Sequence, residues 1–248
     1  MTNTRRPDRA FIVTAALVFA ASTAVTIAWC SSMAAMPGMD MPGGWTMSMA
    51  WMRMPGQSWP GAAATFLGMW TVMMIAMMLP VLAPALSRYR ETHRREERLN
   101  MLTTLVAAGY LTAWILFGAV SYPLGVALAE AAMRMPAISR GIPLAAVAVM
   151  LIAGTLQFTR WKARQLACCR ELPGLGGWSG GWRLGVQCVR CCLGPTAVLL
   201  VAGVMDLRAM ALIAVAICAE RLSRAGERMA RVVGTGFIAT GLILIQQS

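Results

Sequence analysis

Cys188, Cys191 and Cys192 lie in one apolar stretch, GVQCVRCCLGPTAVLLVAGVM. Residues three and four apart are neighbours on an α-helix, so Cys188 can share a site with both Cys191 and Cys192. Thiolates are soft ligands suited to Cu(I) first and also to Zn(II). The Cys188-Val189-Arg190-Cys191 spacing equally permits a membrane dithiol that exchanges with a partner or a quinone, with Arg190 as an adjacent cation.

More sulfur surrounds this motif. In FLGMWTVMMIAMMLPVLAPAL, Met69, Met73 and Met77 fall at i, i+4 and i+8, and Met74 and Met78 form a parallel row. Such rows usually pack, because thioethers fill irregular gaps, but they could also ligate a soft ion. Pro80 and Pro84 follow and would each free a backbone carbonyl beside the sulfur rows. An upstream loop carries Met33, Met36, Met39, Met41, Met47, Met49, Met52 and Met54 among prolines, glycines and tryptophans. Its Gly and Pro content argues against a core, leaving capture of a soft metal, through Met36, Met39 and Met41 above all, or an interfacial belt. Cys168 and Cys169 sit beside Lys162, Arg164 and Arg170 and would serve as an inner relay.

These residues need a membrane scaffold. With 58% hydrophobic and 13% charged residues over 248 positions, and a mean hydropathy of +0.62, the chain is a polytopic membrane protein, all-α, a bundle of six to seven spans. Apolar runs near 10–29, 62–86, 101–120, 141–158, 184–204, 207–219 and 232–246 mark the candidates. Placing the N-terminus inside puts 17 of the 22 basic residues on the cytoplasmic side, so the net charge of +12 is a topology signal of a multi-pass bacterial inner-membrane protein meeting anionic lipid. Nucleic-acid binding is not indicated. Run 10–29 exceeds the apolar core of a secretory signal, so 1–31 reads as a retained anchor helix, 32–61 as an extracytoplasmic Met/Trp/Pro/Gly-rich loop, and 62–248 as the bundle, with a Cys-containing cytoplasmic loop at 159–183.

Absences narrow the chemistry. The only histidine is His93, in a basic loop, so bis-histidine haem and His-rich zinc sites lack ligands. GLGGWSGGW at 174–182 lacks the Lys-Ser/Thr of a phosphate loop and reads as a flexible connector. Glu130, Asp206 and Glu220 fall at span edges, where a solvated role is the default. Gly154, Gly234, Gly236 and Gly241 are expected to let helices approach closely.

Over residues 66–222 the chain resembles the predicted metal-binding integral membrane proteins grouped as domain of unknown function 2182. The resemblance rests on Trp70, Met73, Met77, Met78 and Pro80; on Lys162, Leu166, Cys169, Arg170 and Pro173; and on Gly185, Cys188, Cys191 and Cys192 followed by Gly203-Val204-Met205. It implies a helical membrane bundle that binds metal. Gln165 stands where the family pattern has a loop cysteine, Arg190 where it has a glycine, and Leu193 where it has a tryptophan.

The expectation is a non-enzymatic, copper-handling membrane protein that transports or delivers Cu(I), with zinc as the other candidate metal and a metallochaperone or membrane complex as partner. The alternatives are a thiol/disulfide redox protein and an accessory subunit whose sulfurs only pack.

Overall fold

The computed structural model describes residues 9–34, 38–54, 56–93, 96–169 and 176–247. The order of elements is α1 (Arg9–Ala34), β1 (Met39–Met41), β2 (Trp45–Met47), a 3-10 turn (Met49–Trp51), α2 (Trp59–Thr92), α3 (Leu99–Arg134), α4 (Pro136–Leu156), α5 (Arg160–Cys168), α6 (Gly177–Ala202), α7 (Leu207–Leu222) and α8 (Gly226–Gln247). Among the described residues, α1, α2, α3, α4, α6 and α8 are long and apolar enough to cross a membrane. With its 16 residues, α7 reaches about 24 Å, short of the roughly 30 Å hydrocarbon core. The all-α polytopic bundle expected from the sequence is what forms, with one small hairpin added.

The arrangement centres on α3. It packs against α2 on one side and most extensively against α6 on the other, while α4 pairs with α8 and α1 leans on α2. Glycine makes the α3–α6 contact possible. Gly177, Gly181 and Gly185 recur every fourth residue, and a Cβ on Gly181 would strike the Val106 backbone, on Gly185 the Tyr110 carbonyl, and on Gly109 the Trp178 carbonyl. The stretch expected to be a flexible connector is therefore, from Gly177 onward, the first turns of a membrane helix. Gly181 serves close backbone approach, while Gly177, with nothing near its Cβ position, takes the positive φ at the start of the helix. At the α4–α8 interface Gly154 and Gly234 abut each other and Gly241 meets Leu151, whereas Gly236 faces open space and takes no part.

The methionine-rich loop also departs from expectation. Gly43 and Gly44, both at positive φ, turn the chain so that Met39 pairs with Met47 and Met41 with Trp45. Met41 and Met47 are buried against Ala129 and Ala132, because α3 runs on through Pro123 to Arg134, well past the apolar run 101–120. A small methionine core thus exists where the Gly and Pro content argued against one.

Proline fixes two tertiary contacts. A proline cannot donate to the carbonyl four residues earlier. Pro143 frees the Ser139 carbonyl, which accepts from the Trp45 indole at 3.0 Å and docks the hairpin. Pro195 frees the Cys191 carbonyl, which accepts from Lys162 Nζ at 2.7 Å. In contrast, α2 continues unbroken through Pro80 and Pro84.

Candidate metal centre

The buried stripe of α6 runs through Gly181, Leu184, Gly185, Cys188, Cys191, Cys192, Pro195 and Thr196. This spacing keeps one face of the helix buried, against α3 at Gly181, Gly185 and Cys188, and the three cysteines lie on it. Cys188 is fully buried, and Cys191 and Cys192 are 1% and 2% exposed. Cys188 Sγ and Cys192 Sγ are 3.9 Å apart, as i and i+4 residues should be. All seven cysteines are free thiols.

Other helices complete the surroundings. From α3, Tyr110 donates its hydroxyl to Cys188 Sγ at 3.0 Å. From α7, Arg221 Nη1 donates to the same sulfur at 3.1 Å. Two donors, one of them charged, therefore converge on Cys188, an arrangement that suits an anionic sulfur in an apolar setting.

Cys169, the residue that caps the C-terminus of α5, brings a fourth sulfur. It is buried, its thiol donates to the Gln187 carbonyl at 3.5 Å, and it also hydrogen-bonds Cys191. That bond to Cys191, and then burial, push its pKa well above the ordinary thiol range. Cys168 points outward and is exposed, so the expected pair divides: one member joins the cluster and the other does not.

Beneath the cysteines lies a buried polar group. Lys162 Nζ is 2.6 Å from Glu220 Oε2, with both side chains nearly fully buried, and Gln157 Nε2 donates to Glu220 Oε1 at 2.8 Å. Glu220 is thus not the solvated edge residue expected of it. It is 1% exposed and holds the ammonium that caps the Cys191 carbonyl. Glu130 does pair with Arg134 on the surface, and Asp206 caps α7 by accepting from the Arg208 and Ala209 amides. Arg190 and Leu193, two departures from the family pattern, face outward from α6, away from the sulfurs.

Met73, Met77 and Met78 are all buried in the same core as the cysteines, at 1%, 5% and 0% exposure. They stand on α2, which packs mainly on α1, α3 and α7 rather than on α6. The link is Tyr110, which shares a cavity of about 500 Å³ with Met78 while donating to Cys188. Met39 is exposed on β1 and Met41 buried beneath the hairpin; Met36 lies outside the described residues. Among the described residues no three of His, Cys, Asp and Glu close into a single metal shell. The sulfurs instead pair, Cys188 with Cys192 at 3.9 Å, with Cys191 and Cys169 buried beside them. Such a pair suits an ion like Cu(I), which is satisfied by few soft ligands, better than one demanding a tetrahedral cage.

Three participants escaped sequence reading: Tyr110, Arg221 and Glu220 come from elements whose rotation about their own axes periodicity does not fix. The Pro195 spacing to Cys191 was the one available signal, since it announces a freed carbonyl. A family described as copper chaperones, PpoB2, matches residues 67–244, a range that contains every residue of this cluster. No curated protein and no solved structure matches the chain. With more than half of its length in that match, and with its buried cysteines inside it, the chain belongs to the PpoB2 copper chaperone family.

Proposed function

We propose that the protein carries Cu(I) as cargo at Cys188, Cys191 and Cys192 within the membrane, with Cys169 as the sulfur through which the ion enters or leaves. The observation that carries this reading is the buried Cys188–Cys192 pair, 3.9 Å apart, with Arg221 and Tyr110 donating to its sulfur. Soft thiolates select Cu(I), and a fixed cation beside them offsets the charge of ligands buried in a low dielectric. The thioethers of Met73, Met77 and Met78, buried in the same core and joined to the cluster through Tyr110, would offer copper rather than zinc a path toward it. Lys162 acts as a positioning residue: it ties α5 and α7 to the Cys191 backbone and so holds Cys169 against the cluster.

In the topology set by the arginines, the cluster lies toward the cytoplasmic half of a bacterial inner membrane, and Cys169 sits where a soluble metallochaperone or a membrane complex could exchange the ion. Copper-edge X-ray absorption on anaerobically Cu(I)-loaded protein tests the reading. A first shell made only of sulfur, which gains oxygen or nitrogen in Cys188→Ser/Cys192→Ser, supports it. A shell unchanged by those substitutions overturns it.

A further inference from the structure

A second group of sulfurs lies at the C-terminal end of α6. There a cavity of about 220 Å³ is lined by Met33 of α1, Met47 of β2, Met49 of the 3-10 turn, and Met205 and Asp206 of the α6–α7 connection. Four methionines from three regions of the chain, α1, the hairpin with its following turn, and the α6–α7 connection, line one small space. Met47 is 1% exposed and held by Met41, Ala129 and Ala132, while Met33, Met49 and Met205 are half-buried around it. Cys192 precedes Gly203, another lining residue, by 11 positions on α6, so the cavity and the cysteine cluster are about 16 Å apart along the helix.

We infer that this cavity is a second soft-metal site, binding Cu(I) through the thioethers of Met33, Met47, Met49 and Met205. Packing alone does not call for four methionines lining an open cavity, because apolar side chains in a simple core would close it. Thioether sulfur is soft and neutral, so it ligates Cu(I) or Ag(I) and discriminates against Zn(II) and Mg(II). Neutral ligands leave the ion its positive charge, and the Asp206 carboxylate in the lining offsets it. Methionine has no proton to lose on binding, so the site gives up its ion more readily than thiolates do, as a loading site should. Of its ligands only Met205 falls within the family match, residues 67–244; the site is an addition to the proposed function and does not rest on the cysteine cluster.

The test is an Ag(I) titration of the full-length protein labelled at the methionine methyl carbons, followed by NMR, a readout blind to cysteine. The methyl signals of Met33, Met47, Met49 and Met205, assigned through single Leu variants, should shift together with one apparent Kd. They should do so in wild type and in Cys188→Ser/Cys191→Ser/Cys192→Ser alike. In Met33→Leu/Met205→Leu, which keeps side-chain volume and leaves the docked hairpin alone, the Met47 and Met49 shifts should fall at least tenfold in affinity. Unmoved signals in wild type, or unchanged Met47 and Met49 titrations in the double variant, overturn the inference whether or not the cysteines bind copper.

Discussion

Replacing Lys162 by Met puts the polar group beneath the cysteines to a quantitative test. The ammonium lies 2.6 Å from Glu220 and 2.7 Å from the Cys191 carbonyl that Pro195 leaves without its helical donor. Removing one partner of a buried pair leaves an uncompensated charge and costs about 3–5 kcal/mol. A buried carbonyl deprived of its donor adds about 1–3 kcal/mol. Together Lys162→Met should cost about 4–8 kcal/mol. At about 2–4 °C per kcal/mol for a chain of this size, the apparent Tm should fall by at least about 8 °C. Adding Glu220→Gln removes the stranded charge while its amide can still pair with Gln157, so at least about 6 °C should return, leaving mainly the carbonyl term. The assay is thermal unfolding in detergent at one fixed scan rate, since unfolding of such proteins is commonly irreversible. A single variant within about 2 °C of wild type refutes the reasoning, and so does a second substitution that deepens the loss.

Other expectations follow from the same geometry. Arg221→Met removes a charge-assisted hydrogen bond to Cys188 worth about 1.5–3 kcal/mol, so Cu(I) affinity measured against a chelator should drop roughly 10- to 150-fold, with Arg221→Lys recovering part of it. Gly181→Ala drives a Cβ into the Val106 backbone and should cost about 3 kcal/mol or more, whereas Gly236→Ala, facing open space in α8, should be neutral or stabilise by up to about 1 kcal/mol; both are read as shifts in Tm. Cys169→Ser should slow copper transfer to an acceptor chelator while Cys168→Ser, whose side chain is exposed, leaves the rate unchanged. Arg190→Leu should alter neither copper content nor stability by more than about 0.5 kcal/mol, because its side chain points away from the cluster.

Apolar runs of membrane length make the bundle legible in the sequence, and the i, i+4 spacing places Cys188 and Cys192 on one helix face. What stayed hidden depended on context that hydropathy averages away. Glu130, Arg134 and Pro123 broke the apolar run that α3 nevertheless continues through, and with that extension the platform under Met41 and Met47 was lost from view. Gly181, inside the stretch expected to be a connector, shows why: absence of a side chain signals either freedom or close contact, and only the partner helix decides which. Cys168 and Cys169 are adjacent in sequence but about 100° apart around a helix, so one is buried and the other exposed. Lys162 reads from the sequence as a cation beside Cys168 and Cys169, and Glu220 as a solvated edge charge; their pairing needed the rotation of α5 and α7, which no period in the sequence records.

Whether the buried cysteines of α6 hold copper is read from metal content after anaerobic loading with Cu(I) and Zn(II) in competition, in wild type and in Cys188→Ser/Cys191→Ser/Cys192→Ser. The variant should keep its helical content and carry about one copper fewer per chain, with zinc negligible in both. Equal copper in the two proteins would contradict a copper site at these cysteines.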